Sequence, residues 1–275
     1  MARRAVVAMS GGVDSSVVAA LLKQRGYEVI GVTLNFRPCG FDTDSSGAKW
    51  CCGGDGNHRA KNAALHLGIR HYVLDCHKEF ERAVLRHAWD EYSGGRTPSP
   101  CLSCNKDIKF GYLMDIARKQ GAEILATGHY ARITLEPSGA PVLLRGVDPA
   151  KDQSYFLFTL TNQQLAVASF PLGGMEKGEV RLLAREFGLP NADQPDSQDA
   201  CFMSEEANFA ESLRKRFGGE ARPGEIVDIS GRVLGKHSGI HNFTIGQRKG
   251  IGVFGGRKLY VSGIEHETAR VVVSP

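Results

Sequence analysis

The turn Met9–Ser16, with the sequence MSGGVDSS, constrains the fold of this chain more than any other stretch. It follows the apolar run Ala5–Ala8 and precedes the apolar run Val17–Leu22. A strand, a glycine-rich turn and a helix in this order form a phosphate-binding unit, because the first helical N–H groups lack internal partners and glycine lets the backbone approach an anion. The simpler interpretation is an ordinary helix start with Asp14 or Ser15 as the N-cap. We favour the phosphate site, because a cap needs only one such residue.

The rest of the first two-thirds of the chain alternates strand-like and helix-like runs. The turn is not a Walker loop, since it lacks the lysine of GxxxxGK[ST], and it is not GxGxxG either. Repeated strand–helix units predict an α/β fold with a parallel sheet wound with helices, which binds ligands beyond the carboxyl ends of its strands. The predicted strands are Ala5–Ala8, Tyr27–Leu34, Arg70–Leu74 and Glu123–Thr127; the predicted helices are Ser16–Gln24, His58–Leu67, Lys78–Tyr92 and Ile108–Gln120, with a loop over Gly94–Asn105.

The character of the sequence changes near residue 205. Short β-branched runs alternate there with glycine-containing turns, which is typical of a small β-rich domain. We therefore predict a catalytic domain over residues 1–204 and a small β-rich domain over residues 205–275. Its predicted elements are a connecting helix, Asn208–Arg216, and the strands Glu225–Val227, Arg232–Gly235, Ile240–Thr244 and Lys258–Val261.

Composition narrows the class of protein. The chain has 275 residues, 42% hydrophobic and 23% charged, so it can bury a sizeable core. The net charge of +4 permits an anionic partner without requiring one. No apolar run approaches the roughly 18 residues of a membrane helix, and the start MARR shows no signal-peptide pattern, so we expect a cytoplasmic protein without a membrane partner. Seven cysteines in such a chain favour metal or thiolate chemistry over a disulfide framework.

The loop SGGVDSS resembles the pyrophosphatase loop (PP-loop) of the N-type ATP-pyrophosphatases, which adenylate a substrate and release pyrophosphate. Within that group, the chain is similar to the bacterial tRNA 2-thiouridylases, which place sulfur on the wobble uridine of certain tRNAs. Further blocks follow in the family's order. They are TPSP (97–100), CNK (104–106), ATGHYAR (126–132), KDQSYFL (151–157), PDS (195–197), CF (201–202) and NFTIGQRKG (242–250).

The resemblance implies an adenine nucleotide α hydrolase-like fold and an ATP site with Mg²⁺. Asp14 is the one carboxylate in the loop, and we expect it to hold Mg²⁺, which takes carboxylate, phosphate and water oxygens. The serine hydroxyls of the loop are expected to donate to phosphate oxygens. The ordinary interpretation of Leu34 is strand core. The residues that the resemblance places at the nucleotide are Ala8, Met9, Ser10, Gly11, Gly12, Val13, Asp14, Ser15, Leu34 and Gly128.

The resemblance also implies a tRNA anticodon loop as the partner. Lys151, Asp152 and Gln153 would contact the tRNA, and Ser99, Pro100 and Cys101 would line the flipped-out uridine. Glutamine suits this role, because its amide offers both a donor and an acceptor to a uridine edge. The plainer interpretation makes Asp152 the N-cap of a helix, and both can hold. Basic residues in LRKRF (213–217) and GQRKG (246–250) are candidates for phosphate contacts.

By resemblance, Cys104 and Cys201 are the two catalytic cysteines, with Asp14 completing the catalytic set. In one hypothesis Cys201 accepts a persulfide from a sulfur donor and Cys104 resolves it. The family usually has an aspartate where this chain has Cys101, and Cys101, Cys104 and Cys201 together could instead hold a 4Fe–4S cluster with one open iron. A zinc site is the weakest alternative. Packing is the favoured interpretation for the other clustered cysteines, which are Cys39, Cys51 and Cys52.

A second departure concerns the end of the chain. The family continues into a C-terminal β-barrel domain, and we expect this chain to lack it. The resemblance implies an ATP-dependent tRNA sulfurtransferase. The alternatives left open are another adenylating synthase with the same loop, such as one that uses ammonia, and a nucleotide-binding module for sulfur or metal trafficking. The cysteine trio argues against the first alternative and the KDQSYFL segment against the second.

Overall fold

The computed structural model describes residues 3–36, 55–196, 208–253 and 258–275. These form two compact units, one of residues 1–80 with 101–203 and one of residues 81–100 with 204–275. The strands are β1 Arg4–Ala8, β2 Glu28–Asn35, β3 Arg70–Asp75, β4 Ile124–Ala126, β5 Ala131–Leu135, β6 Pro141–Arg145, β7 Ala168–Ser169, β8 Gly224–Asp228, β9 Val233–His237, β10 Tyr260–Glu265 and β11 Arg270–Ser274.

Between the strands lie helices of three kinds. The α-helices are α1 Val13–Gln24, α2 Asp55–His66, α3 His77–Phe80, α4 Arg86–Ser93, α5 Pro100–Ser103, α6 Met114–Lys119, α7 Asn162–Leu165, α8 Lys177–Glu186 and α9 Phe209–Phe217. The π-helical segments are Glu81–Leu85 and Cys104–Leu113, and the 3₁₀ turns are Ser154–Leu157 and Ile240–Asn242. In the described ranges, no helix is long and apolar enough to cross a membrane.

The first unit is built on a five-stranded parallel sheet in the order β3-β2-β1-β4-β7. The central strand β1 pairs with β2 on one side and β4 on the other, with Val6 opposite Ile30 and Leu125. From β1 the chain runs through β2 to β3 on one side and then crosses to β4 on the other side of β1. The carboxyl ends of β1 and β4 therefore lie at a switch point of the sheet. The predicted α/β fold is confirmed.

Helices cover the middle of this sheet because its strands β1 and β2 are apolar on both faces. Ala5, Val6 and Val7 of β1 are all buried, which is the pattern of a central parallel strand. Helix α1 packs its Val17 and Val18 into the same core, and each fully buried valine contributes about 1.5–3 kcal/mol. This packing fixes the first turn of α1, and with it the glycine-rich turn, above the switch point.

Several predicted boundaries differ from the structure. Helix α1 begins at Val13 with Gly12 as the N-cap, so the interpretation of Asp14 or Ser15 as the N-cap is wrong. The single predicted helix over Lys78–Tyr92 is α3, a π-helical segment and α4 in succession. The predicted loop Gly94–Asn105 ends early, because Pro100 begins α5, a position that suits proline since the first helical N–H has no partner there.

The second unit contains a four-stranded sheet in the order β10-β11-β8-β9. Strands β11 and β8 are parallel, and the other two pairings are antiparallel. The core of the unit includes Ile226, Ile240, Phe243, Val271 and Val273. The unit is β-rich as predicted.

Two expectations for this unit are corrected. Ile240–Thr244 is not a strand but begins as a 3₁₀ turn, because its buried apolar residues, Ile240 and Phe243, are three apart rather than two. The sequence reasoning also missed β11, whose run of valines pairs with β10 and β8.

Candidate functional site

The glycine-rich turn approaches the start of α2 so closely that only glycine fits. Gly11 has φ +83°, in the left-handed region, and a Cβ there would lie 2.2 Å from the carbonyl oxygen of Gly56. A substitution at Gly11 would therefore strain the backbone and clash with another backbone atom. The close approach holds the turn at the carboxyl end of β1.

The serine hydroxyls of the turn bond inward. Ser15 Oγ and Ser16 Oγ each donate to the carbonyl oxygen of Gly12 at 3.1 Å, and Ser15 Oγ accepts from the backbone N–H of Ser10 at 3.2 Å. A hydroxyl has one proton, so these two serines shape the loop in this structure. The expectation that their hydroxyls donate to phosphate oxygens is not met here. The buried Asn191 supports the loop from behind, since its Nδ2 donates to the carbonyl oxygen of Gly11 and to Ser16 Oγ, each at 3.0 Å.

A cavity of about 330 Å³ opens beside this loop in the first unit. This volume lies in the range of small-molecule sites. It brings together nine of the ten residues predicted to surround the nucleotide, and Gly11 is the one that does not line it. Those that line it are Ala8, Met9, Ser10, Gly12, Val13, Asp14, Ser15, Leu34 and Gly128.

Gly128 lies at the end of β4, across the switch point from the loop. A Cβ at Gly128 would come within 3.1 Å of both the Asp14 Cβ and the Ser15 backbone nitrogen. The two strand ends thus meet without an intervening side chain. Asp14, Ser15 and Gly128 all line the cavity.

Asp14 is held by two donors that the sequence reasoning did not assign to the site. The Tyr130 hydroxyl donates to Asp14 Oδ1 at 2.9 Å, and Lys177 Nζ donates to the same oxygen at 2.6 Å. Lys177 Nζ also lies 5.8 Å from the centre of the Tyr130 ring, on its face. Burial and the nearby carboxylate of Asp14 both raise the pKa of Tyr130, so its hydroxyl stays protonated and remains a donor.

Lys177 also joins Asp14 to a second carboxylate. Its Nζ lies 3.0 Å from Asp196 Oδ1, and only 12% of its side chain is exposed. Asp196 further pairs with Lys151 at 2.8 Å and Arg181 at 2.7 Å. Burial raises the pKa of Asp196, but hydrogen bonds from Lys151 and Lys177 outweigh burial and lower that pKa to about 2. Three cations and two carboxylates thus form one ion network at the cavity wall.

One signal could have identified Lys177 in advance. It is the first residue of α8, where a cation is disfavoured because the helix N-terminus carries a partial positive charge. A lysine at that position suggests anionic partners from elsewhere in the fold. Asp14 and Asp196 supply them here.

The predicted uridine-reading segment reaches the same cavity. Lys151 and Gln153 line it, whereas Asp152 does not. The Gln153 Oε1 accepts from the Tyr130 backbone N–H at 3.1 Å. The backbone N–H of Gln153 donates to the Tyr130 carbonyl oxygen at 2.9 Å. Gln153 is therefore fixed to the segment that follows β4, with its side-chain oxygen engaged.

Asp152 organises the turn rather than the cavity. Its Oδ1 accepts from the backbone N–H of Gly146 at 2.9 Å and of Ser154 at 3.2 Å, and its Oδ2 accepts from the Ser154 hydroxyl at 2.9 Å. Burial raises the pKa of Asp152, but these hydrogen bonds outweigh burial and lower it overall. The interpretation of Asp152 as a helix N-cap is wrong, because the N-cap of the 3₁₀ turn Ser154–Leu157 is Gln153 and no side chain caps it. Asp152 lies one residue earlier and fixes the turn through Gly146 and Ser154 instead.

The described cysteines differ sharply in their surroundings. Cys104 is buried and lines the cavity, while Cys101 is partly buried and does not line it. They are three residues apart across α5 and the following π-helical segment, a spacing that places side chains on the same helical face. Ser99 precedes this helix and Pro100 begins it, and neither lines the cavity.

Cys76 packs in the core. Its thiol is fully buried and donates to the Asn35 carbonyl oxygen at 3.4 Å. Burial, with a further contribution from Cys104, raises the pKa of Cys76 to about 12, so it stays a thiol near neutral pH.

The remaining predicted cysteines, Cys201, Cys39, Cys51 and Cys52, lie outside the described residues. Among the residues that are described, no group of three His, Cys, Asp or Glu side chains is arranged to hold a metal ion. The iron–sulfur cluster is therefore supported by no described arrangement. It stays a prediction that rests on Cys101, Cys104 and Cys201.

The parallel sheet, the phosphate-type loop at its switch point and the adjoining cavity define a nucleotide-binding α/β domain of the PP-loop class. A family model described as "tRNA methyl transferase HUP domain" matches residues 3–205, and one described as "tRNA methyl transferase PRC-barrel domain" matches residues 212–275. The chain belongs to the family of the tRNA-specific 2-thiouridylases.

The similarity to individual proteins supports this family assignment. The chain is 51% identical over 272 residues to "tRNA-specific 2-thiouridylase MnmA" of Methylobacterium sp. (strain 4-46), which covers 99% of this chain and 70% of that protein. It is 52% identical, with the same coverage, to the protein of that name in Methylorubrum populi, and 51% identical to that of Bradyrhizobium sp. (strain BTAi1), covering 99% of this chain and 68% of that protein.

A solved structure entitled "Crystal structure of a 4-thiouridine synthetase - RNA complex with bound ATP" shares the fold. Its TM-score is 0.50 at 17% identity, covering 78% of this chain and 50% of that one. The comparisons also correct one expectation. We described the chain as lacking the family's barrel, but residues 212–275 match a barrel-domain model, so that description is wrong.

Proposed function

We propose that the chain is an ATP-dependent tRNA sulfurtransferase. It adenylates the C2 oxygen of the wobble uridine and replaces that oxygen with sulfur, giving 2-thiouridine, AMP and pyrophosphate. One observation carries the proposal: the phosphate-type loop, Cys104 and Gln153 line a single cavity. Each of the three parts of the reaction, which are ATP, sulfur and uridine, thus has a residue of suitable chemistry there.

The ATP phosphates are assigned to the first N–H groups of α1, which have no internal helical partners, and to the N–H of Gly11. The N–H groups of Ser10 and Gly12 donate to serine hydroxyls of the loop instead. Leu34 and Gly128, at the ends of β2 and β4, are assigned to the rest of the nucleotide. Tyr130 and Lys177 both bond Asp14 at Oδ1, so Oδ2 is the oxygen that we assign to Mg²⁺. A carboxylate oxygen facing a phosphate site fits this ion, which would neutralise phosphate charge when bound.

Lys177 is assigned a part in adenylation. When pyrophosphate leaves, negative charge develops on its oxygens, and a nearby ammonium group stabilises that charge. Lys177 Nζ is buried among carboxylates at the cavity wall, so its charge is weakly screened by water. The uridine oxygen then carries AMP, which is a far better leaving group than the oxygen alone.

Gln153 is assigned to the uracil edge. Because its Oε1 accepts the Tyr130 N–H, the Nε2 group is the part that donates to a uracil carbonyl oxygen. The base must leave the stack to reach the cavity, and an anticodon loop makes this inexpensive. Lys151 is assigned to tRNA as well, and Ser99, Pro100 and Cys101 to the neighbourhood of the base.

We assign sulfur transfer to Cys104 and Cys201. In the persulfide form, the terminal sulfur on Cys201 attacks C2 and AMP leaves with the electron pair of the C–O bond. The Cys104 thiolate then attacks the Cys201 sulfur, which frees the thiouridine sulfur and leaves a Cys104–Cys201 disulfide. A two-electron thiol reductant must restore both thiols before the next turnover.

The cluster form differs in its sulfur carrier. Cys101, Cys104 and Cys201 would hold the cluster, whose open iron would supply a reactive sulfide when bound. Cys101 and Cys104 share a helical face, and Cys104 lines the cavity, which suits either form. Anaerobic purification with iron and acid-labile sulfide analysis distinguishes them: about four irons per chain, lost in Cys101→Ala, identifies the cluster, and no iron identifies the persulfide.

In this proposal, residues 1–204 form the catalytic domain and residues 205–275 assist tRNA binding. We assign the protein to the cytoplasm. The test is pyrophosphate release from Mg-ATP with two tRNA transcripts that differ only in uridine or cytidine at the wobble position. Pyrophosphate release with the uridine transcript, and none with the cytidine transcript, supports the proposal. Release without tRNA, or with ammonia as the acceptor, would point to a different adenylating enzyme.

A further inference from the structure

Two aromatic side chains stand out of the surface directly after the segment Lys151–Gln153. Tyr155 is 65% exposed and Phe158 is 60% exposed, although both belong to a stretch that also contributes to the core. Exposed aromatic rings cost free energy unless something covers them, because each carries a large apolar area. We call this pair, Tyr155 and Phe158, the aromatic ledge.

The ledge follows from the geometry of the 3₁₀ turn Ser154–Leu157. Residues three apart lie one above the other in such a turn, so one face carries Leu157 and Leu160, which are both buried. The other face carries Tyr155 and Phe158, whose ring centres lie 5.7 Å apart at an angle of 49°. The core residues thus force both rings outward together.

Hydrogen bonds hold the ledge in a fixed relation to the cavity. The Phe156 carbonyl oxygen accepts from Asn105 Nδ2 at 2.8 Å, and Asn105 is buried beside Cys104. At its start, the turn is bonded through Gln153 to Tyr130. The rings are therefore carried on a rigid element that also lines the cavity with Gln153.

We propose that the aromatic ledge stacks the unpaired nucleotides that neighbour the target uridine in the tRNA. This rests on the proposed function, because it assumes that the uridine enters the cavity beside Gln153. A base that leaves the stack removes the stacking partners of its neighbours, and an aromatic ring offers a face to any base. Two rings on one turn suit one or two nucleotides.

The size and setting of the ledge favour RNA over a protein partner. Two rings cover far less than the roughly 1,200 Å² that a stable protein interface buries. The ledge begins two residues after Gln153, which lines the cavity assigned to the base. The exposed Lys106 follows Asn105, which bonds the turn, and it adds a cation for a phosphate. A neighbouring stretch of the same RNA strand is therefore the occupant that the site implies.

Binding of an anticodon stem-loop RNA tests the proposal. The probe carries 2-aminopurine on the 3′ side of the target uridine, and its fluorescence falls when it stacks. We expect Tyr155→Ala and Phe158→Ala each to raise the RNA dissociation constant about tenfold and to weaken the quenching, since one stacked base is worth about that much. Tyr155→Phe and Phe158→Tyr should stay within about twofold of the wild type, because each keeps a ring face.

Two controls separate stacking from damage to the fold. Tyr72→Ala removes a tyrosine that is 54% exposed on β3 and does not line the cavity, and it should leave RNA affinity unchanged. The ATP dissociation constant and the melting temperature should be unchanged in all these variants. A lowered melting temperature in Tyr155→Ala, with RNA affinity restored at lower temperature, would mean that the ring packs on its own chain and would overturn the proposal.

The outcomes also distinguish a failure of the aromatic ledge from a failure of the proposed sulfurtransferase function. Wild-type protein that releases no pyrophosphate with the uridine transcript would refute the function. Normal release by the wild type, with alanine variants that bind the RNA equally well, would refute the ledge alone. Alanine variants with wild-type RNA affinity but slower sulfur uptake from a protein persulfide donor would reassign the ledge to that protein.

Discussion

Replacing Lys177 with methionine tests the charge arrangement at the candidate site. The ammonium group lies 2.6 Å from Asp14 Oδ1 and 3.0 Å from Asp196 Oδ1. Methionine keeps the unbranched apolar stem but removes the charge and both hydrogen bonds. Two partly buried carboxylates are then left without the cation between them, which is costlier than losing a surface pair.

The expected loss of stability in Lys177→Met is the sum of two contributions. The pKa of Asp196 is lowered from 3.8 to about 2. At about 1.4 kcal/mol for each unit, that shift is worth about 2 kcal/mol, of which Lys177 supplies roughly half because Lys151 bonds the same carboxylate. A charge-assisted hydrogen bond to Asp14 adds about 1.5–3 kcal/mol. We expect Lys177→Met to lower the free energy of unfolding by about 3 kcal/mol at pH 7.

The assay is urea unfolding followed by circular dichroism, on a double-mutant cycle of Lys177→Met with Asp14→Asn. Tyr130→Phe is the matched control, because it removes the other donor to Asp14 without removing a charge. It should cost only about 1 kcal/mol. The coupling energy between Lys177 and Asp14 should be about 1.5–3 kcal/mol. A coupling energy near zero, with unchanged pyrophosphate release in Lys177→Met, would refute the reasoning.

Three further predictions concern the same site. Asp14→Asn should abolish pyrophosphate release at ordinary Mg²⁺ concentrations while leaving the fold intact by circular dichroism, and full activity would refute its assignment to Mg²⁺. Cys104→Ser should abolish thiolation measured by nucleoside mass spectrometry, whereas Cys76→Ser and Cys51→Ala should retain it; a folded but inactive Cys51→Ala would show a sulfur-transfer role that we did not assign. Asp196→Asn should lower the free energy of unfolding by about 2 kcal/mol between pH 5 and 7, and the difference should shrink as pH falls from about 4 to 2, because the lowered folded-state pKa stabilises only the ionised form; a difference that grows with acid would contradict this.

The loop and the sheet could be predicted because their signals are local. Apolar runs of strand length and a glycine-rich turn specify a strand–turn–helix unit whatever the rest of the chain does. The candidate nucleotide residues Ala8–Ser15 are contiguous, so locating the loop located most of them. Leu34 and Gly128 came only through the family resemblance, since an isolated leucine or glycine carries no chemical signal.

The partners of Asp14 could not be predicted in the same way. Lys177 lies 163 residues away in sequence and Tyr130 lies 116 away, so only the folded sheet brings them to one oxygen. The outward rings of Tyr155 and Phe158 were also hidden, because SYFLF reads as an apolar run until the 3₁₀ turn separates its two faces. The prediction of a strand over Ile240–Thr244 was wrong, because the buried apolar residues Ile240 and Phe243 have the three-residue spacing of a 3₁₀ turn.

The central claim is that ATP cleavage at this loop is coupled to sulfur insertion into a tRNA uridine. The most direct test incubates the protein with unmodified tRNA, Mg-ATP, a persulfide donor and a thiol reductant, and counts products by nucleoside mass spectrometry and AMP assay. The account predicts one 2-thiouridine and one AMP for each uridine consumed, both lost in Asp14→Asn. AMP formed without 2-thiouridine, or 2-thiouridine formed without ATP, would contradict it.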